Sequence, residues 1–203
     1  MLGASAASDY QNNKGIVLCI WVLLTNFVVI NILINNLKKQ TMSAIEIITN
    51  ELQTFGRAEK AAHLSRFFKT GKGQYGENDR FLGVTVPETR RVAKAHAGVD
   101  MADLQQLIQS EWHEVRLCAL FILTIQFNKG DEPTRTELVD FYLSNTQHIN
   151  NWDLVDLAAW ETIGTYLLDK PRNLLYRLAE SPLLWDNRIA MVSTYAFIRQ
   201  GQR

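Results

Sequence analysis

The chain has 203 residues, 47% of them hydrophobic and 10% aromatic, and 21 Lys and Arg balance 21 Asp and Glu for a formal net charge of zero. That supplies enough apolar material for one ordinary domain with a packed core, and it excludes a largely disordered chain. Residues 1–41 hold Lys14, Lys38 and Lys39 against Asp9, which leaves 18 basic and 20 acidic residues from Met42 onward, so nucleic-acid binding by a bulk positive field is excluded and only a local basic patch could supply it.

In chain order, the first feature is Ile16 to Ile34, almost continuously apolar, with Lys14 before it and Lys38-Lys39 after it. Residues 1–41 are a separate N-terminal extension, and more than one reading of them stays open. About 20 apolar residues suffice to span a bilayer, although Asn26 and Asn31 weaken the run. A secretory signal is disfavoured, because the run is long and no small-residue cleavage site follows. Alternatively the extension is upstream sequence translated from a misplaced start codon. Met42 opens Met-Ser-Ala-Ile-Glu-Ile-Ile, a helix start with Ser43 as cap and Glu46 three residues on. The expected location is the cytoplasm, or a membrane surface if the apolar segment is a genuine anchor.

From Met42 to Arg203 helical periodicity dominates and no sustained strand-type alternation occurs. The pattern predicts helices over about 43–55, 57–68, 87–97, 101–109, 112–127, 133–145, 151–168, 171–180 and 186–199. Pro87, Pro133 and Pro171 fall at or near the first turns, where proline is tolerated. Apart from 69–86 the connections are short, so successive helices are expected to pack as antiparallel hairpins.

The long connection contains Gly71-Lys72-Gly73-Gln74-Tyr75-Gly76, a literal GxGxxG. A dinucleotide fingerprint needs a strand before it and a helix starting inside it. Here a helix precedes and a loop follows, so the glycines are expected to serve an ordered loop, from which Lys69, Lys72 and Arg80 could touch phosphates. Arg90, Arg91 and Lys94 cluster on the next helix, either as a solvated face or as phosphate contacts. Trp112 and Trp160 are expected to pack between helices.

Three helix openings echo one another: Val115-Arg116-Leu117-Cys118-Ala119, Val155-Asp156-Leu157-Ala158-Ala159 and Asn187-Arg188-Ile189-Ala190-Met191. Their charged positions lie 40 and 32 residues apart, periods that fit two-helix solenoid repeats. This predicts that Arg116, Asp156 and Arg188 share one concave face, with the sign inverted at the middle repeat. Trp152 and Asp156, four residues apart, share a helix face. An aromatic plane beside an anion suits a cationic aromatic guest such as an alkylated purine. The plainer alternative is that Asp153 caps the helix while Trp152 and Asp156 close a structural contact.

Cys19 and Cys118 form no CxxC, and His63, His96, His113 and His148 have no HxxxH or HExxH spacing. A disulfide framework is excluded, and neither a metal nor another cofactor is expected.

Taken together, the loop Phe67 to Gly76 with Asp79-Arg80-Phe81-Leu82-Gly83-Val84 and Val86-Pro87, the segment Asn150-Asn151-Trp152-Asp153-Leu154-Val155-Asp156, and Trp185 with Arg188-Ile189-Ala190 resemble the DNA alkylation repair family of HEAT-like-repeat DNA glycosylases. The resemblance covers about 42–200. It implies an all-α, right-handed solenoid of HEAT-like antiparallel helix pairs over 42–203, acting as a monomer on double-stranded DNA containing alkylated bases. The implied reaction is hydrolysis of the N-glycosidic bond of cationic N3- or N7-alkylated purines. The implied catalytic residues are Asp156, Trp152 and Arg188, with Lys69, Lys72, Arg90, Arg91, Lys94 and Arg116 as DNA contacts. Members of the family continue with further helices and another tryptophan, so the resemblance also implies that this chain is incomplete at its C-terminus. Two rival functions stay open: a HEAT-repeat module that binds DNA structure without cleaving a base, and a protein-interaction scaffold.

Overall fold

A computed structural model describes residues 42–201. The apolar segment 16–34 and its possible anchor role lie outside the described residues. Among those described, no helix is long and apolar enough to cross a membrane.

The fold is all-helical, as the periodicity predicts. We number the α-helices α1 Ala44–Thr54, α2 Ala58–Phe67, α3 Val86–Ala95, α4 Met101–Ile108, α5 His113–Lys129, α6 Glu132–Ser144, α7 Trp152–Asp156, α8 Asn173–Ala179, α9 Leu184–Ser193 and α10 Tyr195–Arg199. No strand forms among the described residues, although an isolated parallel bridge joins Arg80 to Trp112. Several starts are fixed by the local chemistry the sequence advertises. Thr85 caps α3 through a reciprocal capping box with Glu88, and Asp100 and Asp131 cap α4 and α6 through the amides of Asp103 and Thr134. Each such cap is worth about 1 kcal/mol. Pro87 and Pro133 sit in the first turns of α3 and α6, whereas Pro171 precedes α8.

The core is organised around α5. Residues 113–124 of this helix are all buried, the pattern of a helix enclosed on all sides rather than amphipathic. Helices α1, α3, α4, α6 and α7 pack against it. Leu117, Leu120, Phe121, Ile122 and Leu123 supply most of its apolar surface, each contributing roughly 1.5–3 kcal/mol by burial. Cys118 is buried there, and burial pushes its thiol up to about 12, which removes it from redox chemistry at neutral pH.

Two predicted helices are interrupted. The expected helix over 151–168 stops at Asp156 and continues through a π-helical turn at Trp160–Gly164, where the Gly164 amide donates to the Ala159 carbonyl at 3.0 Å. The hydroxyls of Thr162 and Thr165 donate to the carbonyls of Ala158 and Trp160, offering the backbone partners outside the regular ladder. Gly164 lies so close to α9 that a Cβ there would overlap the Ser193 carbonyl oxygen. The expected helix over 186–199 starts earlier, at Leu184, and breaks at Thr194, whose hydroxyl donates to the Met191 carbonyl at 2.6 Å.

Candidate active site

Helix α7 carries Trp152 at its first position and Asp156 at its last, one turn apart. Asn151, and not Asp153, stands at the N-cap, its side-chain oxygen accepting from the Trp152 amide at 2.9 Å. Arg188, on the second turn of α9, meets Asp156 with two hydrogen bonds, Nε to Oδ1 at 2.8 Å and Nη2 to Oδ2 at 2.6 Å. This is the bidentate geometry in which guanidinium and carboxylate are strongest. The hydrogen bond to Asp156 raises the Arg188 pKa further above its ordinary value. Both side chains remain partly open to solvent, Asp156 at 32% and Arg188 at 40%. Of the three echoed positions, the acidic Asp156 therefore pairs with the basic Arg188.

The Trp152 ring is half-buried on an aromatic stack. It lies 5.4 Å from Phe68 at an interplanar angle of 29° and meets the exposed Phe67 edge-on at 6.1 Å. Phe68 in turn stacks on Phe81 and on the His113 imidazole. The chain then turns outward at Lys69, a non-glycine residue at φ 51°. The glycine loop follows, and Tyr75 within it packs edge-on against Trp185 at 5.6 Å, with the Lys69 ammonium 5.9 Å from the Tyr75 ring. Two of the loop's amide groups are already engaged: Gly71 donates to Gln74 Oε1 and Gly73 to Glu77 Oε2. The GxGxxG match is thus a self-bonded loop and not a nucleotide cradle.

Beneath the stack lies a buried polar cluster that the sequence did not reveal. Asp79 accepts from Arg116 Nη2 at 2.8 Å and from Asn150 Nδ2 at 2.9 Å. His113 reaches Asp79 with Nδ1 at 3.3 Å and Asp153 with Nε2 at 2.8 Å. Asp79 is desolvated, which by itself favours the neutral acid, yet hydrogen bonds from His113 and Asn150 and the Arg116 charge hold its carboxyl below the usual range. Glu114, also buried, accepts from the amides of Leu82, Gly83 and Val84 and so fixes the end of the long connection to the start of α5.

Of the predicted residues, Trp152, Asp156 and Arg188 come together around α7. Lys69, Lys72, Arg90, Arg91 and Lys94 are all exposed, with Arg90 stacked on Phe121 and Arg91 on Phe55. Arg116 is a correction. It is 5% exposed, and its two Nη atoms donate to Asp79, the Ser110 carbonyl and Asn150. It holds the framework and offers no charge to a phosphate, nor does it share an exposed face with Asp156 and Arg188. Trp112, expected between helices, lies under the Arg80 guanidinium of the long connection, and Trp160 meets Tyr195 edge-on. Asp79, His113, Asn150 and Asp153 were missed because their partners lie 34 to 71 residues away in sequence. No local signal marked them, since Asp79 stands beside Arg80 and Arg116 two residues from Glu114.

A family model described as DNA alkylation repair enzyme matches residues 48–203. No curated protein and no solved structure matches the chain.

Proposed function

The chain belongs to the DNA alkylation repair enzyme family, and we propose that within it the protein is a HEAT-like-repeat DNA glycosylase that hydrolyses the N-glycosidic bond of cationic N3- or N7-alkylated purines in duplex DNA. The observation that carries this reading is the partly exposed Asp156 carboxylate, fixed by Arg188 one helical turn from the half-buried Trp152 ring. An alkylated purine already carries positive charge, so it departs with the bonding electron pair as a neutral base. What remains is stabilisation of the oxocarbenium-like sugar that forms as the C1′–N bond breaks. Asp156 supplies an anion for that cation and an acceptor for the proton of the attacking water, whose oxygen bonds to C1′. Arg188 sets the orientation of the carboxylate. Trp152 offers a rigid face to the cationic base, an attraction worth about 0.5–2 kcal/mol that a neutral base does not receive. The exposed Lys69, Lys72, Arg90, Arg91 and Lys94 contact the phosphate backbone.

The test is base release from duplex DNA carrying N7-methylguanine or N3-methyladenine under single-turnover conditions, with undamaged duplex as control. Release by the wild-type chain, and a Trp152→Ala variant that loses preference for the lesion more than affinity for plain duplex, are expected. DNA binding without base release would support the structure-binding module instead, and salt-insensitive or absent DNA binding the protein scaffold.

A further inference from the structure

We propose that His113 is a positioning residue for Trp152, working as a doubly protonated imidazolium clamped between Asp79 of the long connection and Asp153 of α7. The functional meaning of that positioning rests on the reading of Trp152 as the lesion-facing ring.

Both ring nitrogens of His113 face carboxylate oxygens, Nδ1 at 3.3 Å from Asp79 Oδ2 and Nε2 at 2.8 Å from Asp153 Oδ2. A neutral imidazole has a single N–H, so it would set a lone pair against one of the two anions; only the imidazolium donates to both. The opposite oxygens of the two carboxylates are also acceptors, from Arg116 and Asn150 at Asp79 Oδ1 and from the Leu154 amide at Asp153 Oδ1, so each carboxylate meets donors on both oxygens. The charges facing His113 are therefore Asp79 from the connection, Asp153 from α7 and Arg116 one turn along α5. The adjacent Glu114 is turned to the amides of Leu82, Gly83 and Val84. With His113 charged, two anions meet two cations and the buried cluster is neutral. Loss of that proton would leave a net negative charge among side chains that are 2% to 9% exposed, a costly state. Burial is the largest influence on His113 and opposes its charge, but the hydrogen bonds to Asp153 and Asp79 outweigh it and hold the imidazole above its ordinary value of 6.5.

His113 reaches Trp152 by two routes. Its ring stacks on Phe68 at 5.1 Å, and Phe68 stacks on Trp152 at 5.4 Å. Its Nε2 holds Asp153, the residue next to Trp152 in the chain. Deprotonation would leave one N–H for two carboxylates, changing the hold on Asp153 and the setting of the ring against which Phe68 and Trp152 stack.

The test follows the ring nitrogens of His113 and the indole N–H of Trp152 by nitrogen-15 NMR in the full chain as pH is raised. The expected result is an imidazolium at pH 6.5 and, above it, a Trp152 shift that titrates with His113. The pair should lose that joint titration in His113→Asn, with single-turnover release of N7-methylguanine falling by about 10-fold or more through misplacement of the ring while binding to undamaged duplex stays within about 2-fold. A neutral His113 ring at pH 6.5, or a Trp152 signal that ignores its titration, overturns the proposal. Both readouts come from the wild-type chain, so a variant that fails to fold does not blunt the test. Absence of base release from wild type, with the joint titration intact, overturns the glycosylase reading and not the clamp.

Discussion

Arg188 and Asp156 sit 32 residues apart in sequence and close on each other through two hydrogen bonds of 2.8 and 2.6 Å. The anion is thereby oriented without being buried. With 32% of the Asp156 side chain still open, solvent screening limits what the pair adds to folding to about 0–1 kcal/mol. A carboxylate held in one orientation and still open to solvent is what the proposed reaction asks of Asp156.

Asp156→Asn keeps the size of the side chain and removes its charge. Release of N7-methylguanine from bound duplex should slow by roughly 10–1,000-fold, the usual scale for losing one preorganised electrostatic group. Duplex affinity should hold or rise, because an anion leaves a surface that meets phosphates. Parallel single-turnover and equilibrium-binding measurements separate the two. A variant that binds more weakly yet releases base from the complex at the wild-type rate would make Asp156 structural.

Two cationic residues named together from sequence should behave in opposite ways. Arg116→Ala removes a buried guanidinium that answers Asp79, leaving that carboxylate under-compensated, at a cost of about 3–5 kcal/mol in a urea melt. Lys72→Ala on the exposed loop should leave the melt unchanged within about 0.5 kcal/mol. It should instead lower the slope of log affinity against log salt by about 1. An Arg116→Ala variant with wild-type stability and a reduced salt slope would restore Arg116 to the DNA contacts.

The contrast shows what was legible in the chain. The all-α fold and most helix positions follow from apolar periodicity and from local caps such as Thr85 with Glu88, signals contained within a few residues. Trp152 and Asp156 were legible because a single helical turn fixes their shared face. The burial of Arg116 was not, since its partners Asp79 and Asn150 come from 37 and 34 residues away. His113 shows no local pattern for the same reason. Nor does periodicity encode the close approach of Gly164 to Ser193 on α9, a contact between segments within the interrupted stretch 151–168.

Stability should be greatest between about pH 3.8 and 6.5, the ordinary values of Asp79 and His113. Asp79 is held below its ordinary value of 3.8, so its contribution is complete above about that value and is lost as pH falls through the lower folded value. His113 is held above 6.5, so its contribution is complete below 6.5 and is lost as pH rises through the higher folded value. Urea midpoints measured across pH should therefore decline on both sides of that window, and His113→Asn should flatten the decline above pH 6.5. A wild-type midpoint that rises through the alkaline range would contradict the assigned sign.

The attachment of the long connection to α5 can be tested at Glu114 and Gly83. The Glu114 carboxylate takes three amide protons, from Leu82 at 2.9 Å, Gly83 at 2.8 Å and Val84 at 3.2 Å. Glu114→Gln puts an amide of nearly the same shape there, with one oxygen in place of two and an N–H₂ facing donors. At least one buried amide then loses its partner and the charge-assisted bonds become neutral, a loss of about 2–4 kcal/mol. Gly83 has φ 81°, and a Cβ on it would overlap the Arg57 carbonyl oxygen. Gly83→Ala thus adds left-handed strain of about 1–2 kcal/mol to a steric overlap of about 1–3 kcal/mol. Both variants should lower the urea midpoint, and in both the amides of 82–84 should exchange with deuterium faster than those of α5. Their attachment also sets Phe81, which stacks on His113 and Phe68, so the Trp152 indole signal should shift in each. If Glu114→Gln melted like wild type and left exchange at 82–84 unchanged, the carboxylate would not be what holds the connection in place.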